Sequence, residues 1–317
     1  MTNVICITGC TASGKSKIAK EIAEFRPSVI INADSIQVYK CIKVLSSRPT
    51  DNDLENIENC LYGHVKCEND YSVGKWLQDV EKAIKYAKSS NKIPILVGGT
   101  GLYFSALLNG LSSIPPISEK TKKKSDLIKN ISPEIFLNDL KISDYETYEN
   151  IDQQNIARVQ RAWEVLTETG YGLSYWKKNK KEPLVKFSDC KRYIISCDQQ
   201  SLEANILDRS QKMFQQGVED EVKKILNSNY LINPTHPAHK AIGFYEVREY
   251  ITGEKTMGQA IDMISVKTRQ YAKKQRTWFR NQMSTWQVLN ITKGFELSNA
   301  VEHINNYTCN LNSNTKN

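Results

Sequence analysis

Gly9-Cys10-Thr11-Ala12-Ser13-Gly14-Lys15-Ser16 carries the spacing G-x-x-x-x-G-K-[ST], that of a loop whose backbone N–H groups and following helix wrap a polyphosphate. In such a loop Lys15 bridges the outer phosphate oxygens and the Ser16 hydroxyl ligates a Mg²⁺ ion held by them. Nucleotides and other diphosphates both suit the loop, and kinases, ATPases and other transferases share it, so the reaction stays open. Two more groups narrow the choice. Asp34 lies in Asn32-Ala33-Asp34-Ser35-Ile36-Gln37-Val38-Tyr39 and Thr100 in Gly98-Gly99-Thr100-Gly101-Leu102-Tyr103, each just after a short apolar run. In an open α/β sheet the ligand crevice lies beyond the carboxyl ends of the strands. Asp34 can take a proton there, and a Gly-Gly-Thr turn lets amides and one hydroxyl come close to a ligand. The structural alternatives are that Asp34 only caps a turn and that Gly98-Gly99 only makes a tight one. A hydrolase or motor ATPase usually ends such a strand with an acid that helps hold Mg²⁺. Here the strand ends in glycines and a threonine.

These groups need a parallel sheet to bring them together. Val4 to Ile7, Ser28 to Ile31, Ile93 to Val97 and Tyr193 to Ile195 read as buried strands. Lys17 to Phe25 reads as a helix, as does 73 to 88, where Trp76, Val80, Ala83, Ile84 and Ala87 recur at helical spacing. Residues 40 to 70 lack periodicity and read as loops and short helices. The fold class expected is α/β, a P-loop NTPase-like core with a parallel sheet flanked by helices, plus an inserted all-helical domain. Pro115-Pro116 and the Lys-rich stretch before Pro183 mark the edges of the insert. The division is therefore 1–113 as the first part of the core, 114–189 as the insert, 190–295 as the second part, and 296–317 as a disordered tail.

In the insert, Asp152 is the expected N-cap of a helix through Thr169 that Gly170 stops, with Ile156, Val159, Trp163 and Leu166 as its apolar stripe. Arg158 and Arg161 share another face and can clamp phosphates or a base edge. Beyond it, Glu203 to Leu226 reads as one helix, with Arg209 and Lys212 on one side. The last helix, Met257 to Met283, carries Arg269, Lys273, Arg276 and Arg280 at i, i+4, i+7 and i+11, with Tyr271, Gln275 and Trp278 on an adjacent strip. Cations beside aromatic rings suit a phosphodiester backbone and stacked bases; a solvated helix face is the plainer reading.

The 317 residues, 40% hydrophobic and 25% charged, fit an ordinary globular chain, and its net charge of +8 suits a polyanionic partner. Eight cysteines contain no C-x-x-C pair, which argues against zinc and against a secreted disulfide framework and for reduced thiols. The first strand begins so early that no leader fits before it, and no apolar run nears the length of about 18 needed to span a bilayer. A cytoplasmic protein without a membrane is the expectation.

With these residues assembled, the sequence resembles the bacterial tRNA dimethylallyltransferases, which prenylate adenosine 37 beside the anticodon. The resemblance runs from Val4 to Arg280 and rests on GCTASGKS at Gly9, NADSIQVY at Asn32, GGTGLY at Gly98, ARVQRAWEV at Ala157 and QYAKKQRTWFR at Gln270, with KAIGFYE at Lys240 as a further match. It implies dimethylallyl diphosphate as donor, Mg²⁺ as cofactor, the anticodon stem-loop of tRNA as partner, and an insert that closes on that stem-loop. The enzyme is expected to be a monomer. The residues implied for tRNA are Asp34, Ser35, Ile36, Gln37, Thr100, Lys122, Ala157, Arg158, Val159, Gln160 and Arg161, to which the basic stripe adds Arg269, Lys273, Arg276 and Arg280. The diphosphate falls to Gly9 through Ser16 and to Arg209, the metal to Ser16, and catalysis to Asp34 as base with the Thr100 hydroxyl on the leaving group.

Three places depart from the family pattern. Cys10 stands where proline is usual, Cys41 to Pro49 differs from a usual glycine-rich segment, and Asn205 stands where arginine is usual one turn before Arg209. The competing function is a small-molecule or nucleoside kinase, which accounts for the P-loop and leaves the basic helix without a task.

Overall fold

The computed structural model describes residues 4–50, 52–228 and 236–291, with 299, 301, 302 and 304. Strands β1 (Val4–Gly9), β2 (Ser28–Asn32), β3 (Asn59–Cys60), β4 (Ile93–Gly98), β5 (Cys190–Ser196) and β6 (Gln287–Asn290) form one sheet in the order β3-β2-β4-β1-β5-β6. Every pairing is parallel. A parallel sheet is covered on both faces, so its central strands are continuous apolar runs, and β1 and β2 are buried along their whole length. The period of two divides them between faces. Ile5, Ile7, Ile30, Ile95 and Val97 pack on Ile18, Ala19 and Ile22 of α1 (Lys15–Phe25). Val4, Cys6, Val29, Ile31 and Leu96 pack on Trp76, Val80, Ile84 and Ala87 of α2 (Val73–Ser89) and on Phe104 and Leu107 of α3 (Gly101–Asn109).

The chain divides into two compact units, 1–108 with 184–317 and 109–183, where the sequence pattern suggested cuts at 114 and 189. The shorter unit holds α4 (Glu119–Ile131), α5 (Glu134–Ser143), α6 (Tyr145–Asn150), α7 (Ile156–Thr169) and α8 (Leu173–Lys178), with a core of Phe136, Leu140, Val159, Ala162 and Trp163. Gly170, at φ 72°, stops α7 as expected, but Asn155 and not Asp152 is its cap. Asp152 instead accepts the Gln154 N–H in a turn before the helix.

In the larger unit, α9 (Gln199–Gln215) and α10 (Val218–Leu226) replace the single helix expected over Glu203 to Leu226, because Gly217 adopts φ 83° between them. They are followed by α11 (Phe244–Ile251) and α12 (Met257–Gln282). The expected tail lies mostly outside the described residues. Its described positions, 299, 301, 302 and 304, are helical, and Val301 and Ile304 are buried in the layer that holds Ile18 and Ile22. Cys6, Cys10, Cys60, Cys190 and Cys197 are free thiols. Cys41 and Cys67 are disulfide-linked, contrary to the expectation of reduced thiols throughout, because a Tyr39–Val65 bridge brings their segments together. Among the described residues no helix is long and apolar enough to cross a membrane.

A candidate active site at the carboxyl ends of the strands

The P-loop leaves β1 at Gly9, where a Cβ would stand 2.6 Å from Ile195 O and from Ser13 Oγ, so only glycine passes. Gly14 takes φ 87° and turns the chain into α1, whose first turn holds no acid. The N–H groups of Gly14, Lys15 and Ser16 have no partner among the described residues, the unpaired donors a helix start offers an anion. Thr11 is different. Its N–H goes to Gln275 Oε1 at 2.9 Å and its hydroxyl accepts from Arg209 at 2.6 Å, so the Thr11 amide holds the loop in place and does not cradle phosphate. Arg209, from α9, also reaches Ser46 O at 3.3 Å, and Asn205 donates to Ala12 O at 3.1 Å.

Lys15 Nζ folds back onto Cys10 O at 3.3 Å. Burial pushes its ammonium pKa down, and the Asp34 carboxylate works against that shift. Arg209 is pushed down by burial and drawn back by Asp34 in the same way. Two half-buried cations with too little counter-charge make a site that an anion completes.

Asp34 is placed by Asn32 at the end of β2, whose Oδ1 accepts the Asp34 N–H at 3.0 Å while its Nδ2 donates to Leu61 O at 3.0 Å. Asp34 Oδ1 accepts the N–H groups of Ile36 at 2.9 Å and Gln37 at 3.3 Å. Oδ2 points toward Gly99, where a Cβ would lie 3.6 Å from it, and accepts no hydrogen bond from the described residues. The two readings of Asp34 are thus divided between its two oxygens: one caps the turn and the other remains able to take a proton.

Gly98 passes so close to Ala33 that a Cβ would lie 2.1 Å from its backbone, which puts the turn after β4 directly against the turn after β2. Thr100 Oγ1 accepts the Ser35 N–H at 2.9 Å and donates to Ser35 Oγ at 3.3 Å. A cavity of about 280 Å³ joins Lys15, Asp34, Gln37, Arg209, Lys240 and Tyr271, with Ser35, Ile36 and Thr11 also on its wall. Thr100 does not line it; it borders an adjoining depression of about 230 Å³ with Ser35, Tyr271 and Trp278. Ser16 is exposed and borders a different cleft beside Lys17 and Asp53.

Several expected contacts are placed differently. Gln37 spends its carboxamide N–H groups on Ser46 O and Ser47 O, at 3.0 and 3.2 Å, and holds the 42–48 turn. Val159 is in the core of the helical unit, and Gln160 is buried with its Nε2 on Ser125 and Asp126. Neither side chain is presented to a ligand, because successive helix positions turn by about 100°. Ala157, Arg158 and Arg161 are exposed, with Arg161 at 3.4 Å from Glu164, and Lys122 pairs with Glu119 at 2.7 Å. Arg269, Lys273, Arg276 and Arg280 are all exposed, and among the described residues none of them forms an ion pair. Of the adjacent strip Tyr271 is exposed and Trp278 half-buried on the depression beside Thr100. Gln275 is buried, and Trp278 lies over Gly101, where a Cβ would meet its ring at 2.1 Å. Lys240, Met213 and Thr268 line the cavity without having been singled out; the KAIGFYE match was the one signal for Lys240. Burial, then the Asp34 charge, raises the Tyr271 phenol to about 12, so it stays a hydrogen-bond donor.

The sequence matches the IPP transferase family over residues 37–282 and the Isopentenyl transferase family over residues 2–63. It is 42% identical over 283 residues to the tRNA dimethylallyltransferase of Ruegeria sp. (strain TM1040), covering 89% of this chain and 94% of that one. Against the tRNA dimethylallyltransferase of Wolbachia pipientis wMel the identity is 40% over 289 residues, covering 90% and 95%. Among solved structures, a eukaryotic dimethylallyltransferase acting on tRNA superimposes with a TM-score of 0.77 at 27% identity, covering 92% of this chain and 75% of that one.

Proposed function

The chain belongs to the IPP transferase family, and we propose that it transfers a dimethylallyl group from dimethylallyl diphosphate to N6 of adenosine 37 in the anticodon loop of tRNA. That it is a tRNA prenyltransferase follows from the family; the donor, the acceptor atom and the residue roles are the proposal. One observation supports it: Asp34, one of whose carboxylate oxygens accepts no hydrogen bond among the described residues, shares a cavity with Lys15 and Arg209. That pairing places a proton acceptor beside an anion cradle.

The N6 lone pair is delocalised into the adenine ring, so N6 attacks well only if its proton leaves as the C–N bond forms. Asp34 Oδ2 takes that proton. As the allylic C–O bond breaks, negative charge grows on the departing diphosphate, and Lys15, Arg209 and the Gly14 to Ser16 amides are the groups to receive it. Tyr271 and Lys240 offer further donors on the same wall. The target base must leave its stack to enter the cavity, which costs least in a single-stranded loop.

Mg²⁺ fits the donor chemistry. Ser16 Oγ is exposed on the first turn of α1 and makes no hydrogen bond among the described residues, and Mg²⁺ needs few protein ligands beyond phosphate oxygens and water. When bound, the ion neutralises charge on the diphosphate and improves it as a leaving group. The exposed stripe Arg269, Lys273, Arg276 and Arg280 is the proposed backbone-binding face, and Ala157, Arg158, Arg161 and Lys122 the face offered by the helical unit. We take the working form to be a cytoplasmic monomer.

The test is to incubate the protein with labelled dimethylallyl diphosphate and bulk tRNA beside a parallel reaction with labelled ATP. Label should enter tRNA from the first and from the second nothing should be transferred or hydrolysed. Transfer from ATP would establish the kinase reading in its place.

A further inference from the structure

Three metal-ligating side chains converge away from the P-loop. Cys41 follows the turn that Asp34 caps, Cys67 lies 26 residues further on, and His236 precedes the short helical turn Pro237–Lys240. Their ligand atoms all lie within 4.8 Å of one another. Neighbouring ligands on a tetrahedral zinc ion stand roughly 3.5–3.8 Å apart, given Zn–S and Zn–N bonds of about 2.3 and 2.0 Å, so after reduction the two sulfurs, bonded to each other in the structure, part to that spacing by side-chain rotation. We propose that with both cysteines reduced, Cys41, Cys67 and His236 bind a soft divalent cation of the Zn²⁺ type, with a water completing the tetrahedron.

The backbone sets the cysteine pair. Lys40 N–H donates to Val65 O at 2.8 Å and Val65 N–H to Val38 O at 2.9 Å, which holds the two Cα atoms 6.0 Å apart. The Cys41 N–H points at Cys67 Sγ at 3.1 Å. Cys67 and His236 are buried. The Ala238 N–H meets His236 Nδ1 at 3.2 Å, a long contact that a metal bond can displace.

Two thiolates and a neutral imidazole bring a divalent ion to zero net charge, the condition for placing it where water is scarce. Access is through a cleft of about 550 Å³ that Cys41 and His236 border, whose wall carries Asp220 and Glu221 beside Lys40 and Lys224. Thiolate and imidazole select zinc-like ions over Mg²⁺, so this site is separate from the one at Ser16. In the cytoplasmic setting proposed above, where thiols are kept reduced, a dithiol with a histidine beside it suits a metal better than a permanent disulfide. Bound metal would anchor the 41–48 turn, which carries Leu45 and Ser46 to the cavity wall.

The experiment titrates the full chain with Co²⁺, after reduction and removal of metals, under anaerobic conditions. The expected result is a near-ultraviolet thiolate-to-cobalt charge-transfer band with intense visible bands of a tetrahedral ion, saturating at one equivalent and bleached by Zn²⁺. Cys41→Ser and Cys67→Ser should each remove the charge-transfer intensity of one thiolate, and His236→Ala should weaken affinity about tenfold or more. Absence of the charge-transfer band in the wild type, its full retention in either serine variant, or unchanged affinity in His236→Ala would overturn the site. Should a variant fail to fold, alkylation of the reduced wild type decides: Zn²⁺ should protect Cys41 and Cys67 and spare Cys197, and equal labelling with and without Zn²⁺ would overturn the site as well.

Discussion

Gln275 holds Thr11. Its Oε1 accepts the Thr11 N–H at 2.9 Å while its Nε2 donates to Gly99 O at 2.8 Å, so one buried carboxamide from α12 ties the P-loop to the turn that carries Thr100. Removing it leaves a buried donor and a buried acceptor unpaired, at a cost of about 1–3 kcal/mol for each such group. Gln275→Ala should therefore lower the melting temperature and reduce kcat together. Gln275→Glu keeps the acceptor for Thr11 but sets a carboxylate against Gly99 O, and should lose activity comparably. A normal melting curve and normal turnover in both variants would show that the two turns hold themselves.

Asp34→Asn separates the two jobs of that residue. Asparagine Oδ1 can still accept the Ile36 and Gln37 N–H groups, so stability should barely change, while turnover falls by roughly 10²- to 10⁴-fold, the usual worth of a general base. Asp34→Ala loses the cap as well, at about 1 kcal/mol. Single-turnover prenylation across a Mg²⁺ titration, with melting curves alongside, reads both. A near-normal rate for Asp34→Asn would remove Asp34 from the chemistry, and rescue by excess Mg²⁺ would make it a metal ligand.

The pH dependence should carry the mark of Lys15. Burial lowers its pKa in the unliganded enzyme, so the ammonium loses its proton as pH rises through a value below the ordinary lysine value of about 10.4. Below that folded-state value the cation is present and diphosphate binds; above it binding weakens. The profile of kcat/KM for the donor should thus show an alkaline fall earlier than a surface lysine would give. Lys15→Arg, cationic across the whole range, should lack that limb, and a limb of unchanged position in Lys15→Arg would assign the fall to another group. Lys15→Ala should lose transfer at every pH.

Neutralising Arg269, Lys273, Arg276 or Arg280 singly should weaken tRNA binding about equally across tRNA sequences and reduce the log–log salt slope by about 1. The measurement is tRNA affinity between low and moderate salt. Four unchanged slopes would return the stripe to solvent.

Much of this was legible in the chain because it depends on neighbours in sequence. The P-loop spacing, the apolar runs of β1, β2 and β4, Gly170 as a helix stop and the basic periodicity of α12 are all local patterns, set by backbone geometry and by which residues one face of a helix or strand presents. β6 was missed because Gln287–Asn290 has no pattern of its own and is a strand only by pairing with β5. The break at Gly217 was missed because one positive-φ glycine inside a continuous apolar periodicity leaves that periodicity intact.

What tertiary structure alone decided is which atoms face one another across long stretches of chain. Four side chains a few positions apart on α12 have different surroundings: Tyr271 reaches the cavity, Gln275 is buried against the P-loop, Trp278 covers Gly101, and Arg276 is in solvent. The rotation of the helix against the sheet determines that, and the rotation comes from packing. The same holds for Asp34, whose type announced an acid but whose capping oxygen is fixed by the Ile36 and Gln37 N–H groups while the other faces Gly99. It holds too for Cys41, Cys67 and His236, which carry no motif spacing and meet because a parallel bridge and a distant helical turn place them together. Spacing in sequence sets local conformation, while a cavity is assembled from groups whose separation along the chain carries no information about their separation in space.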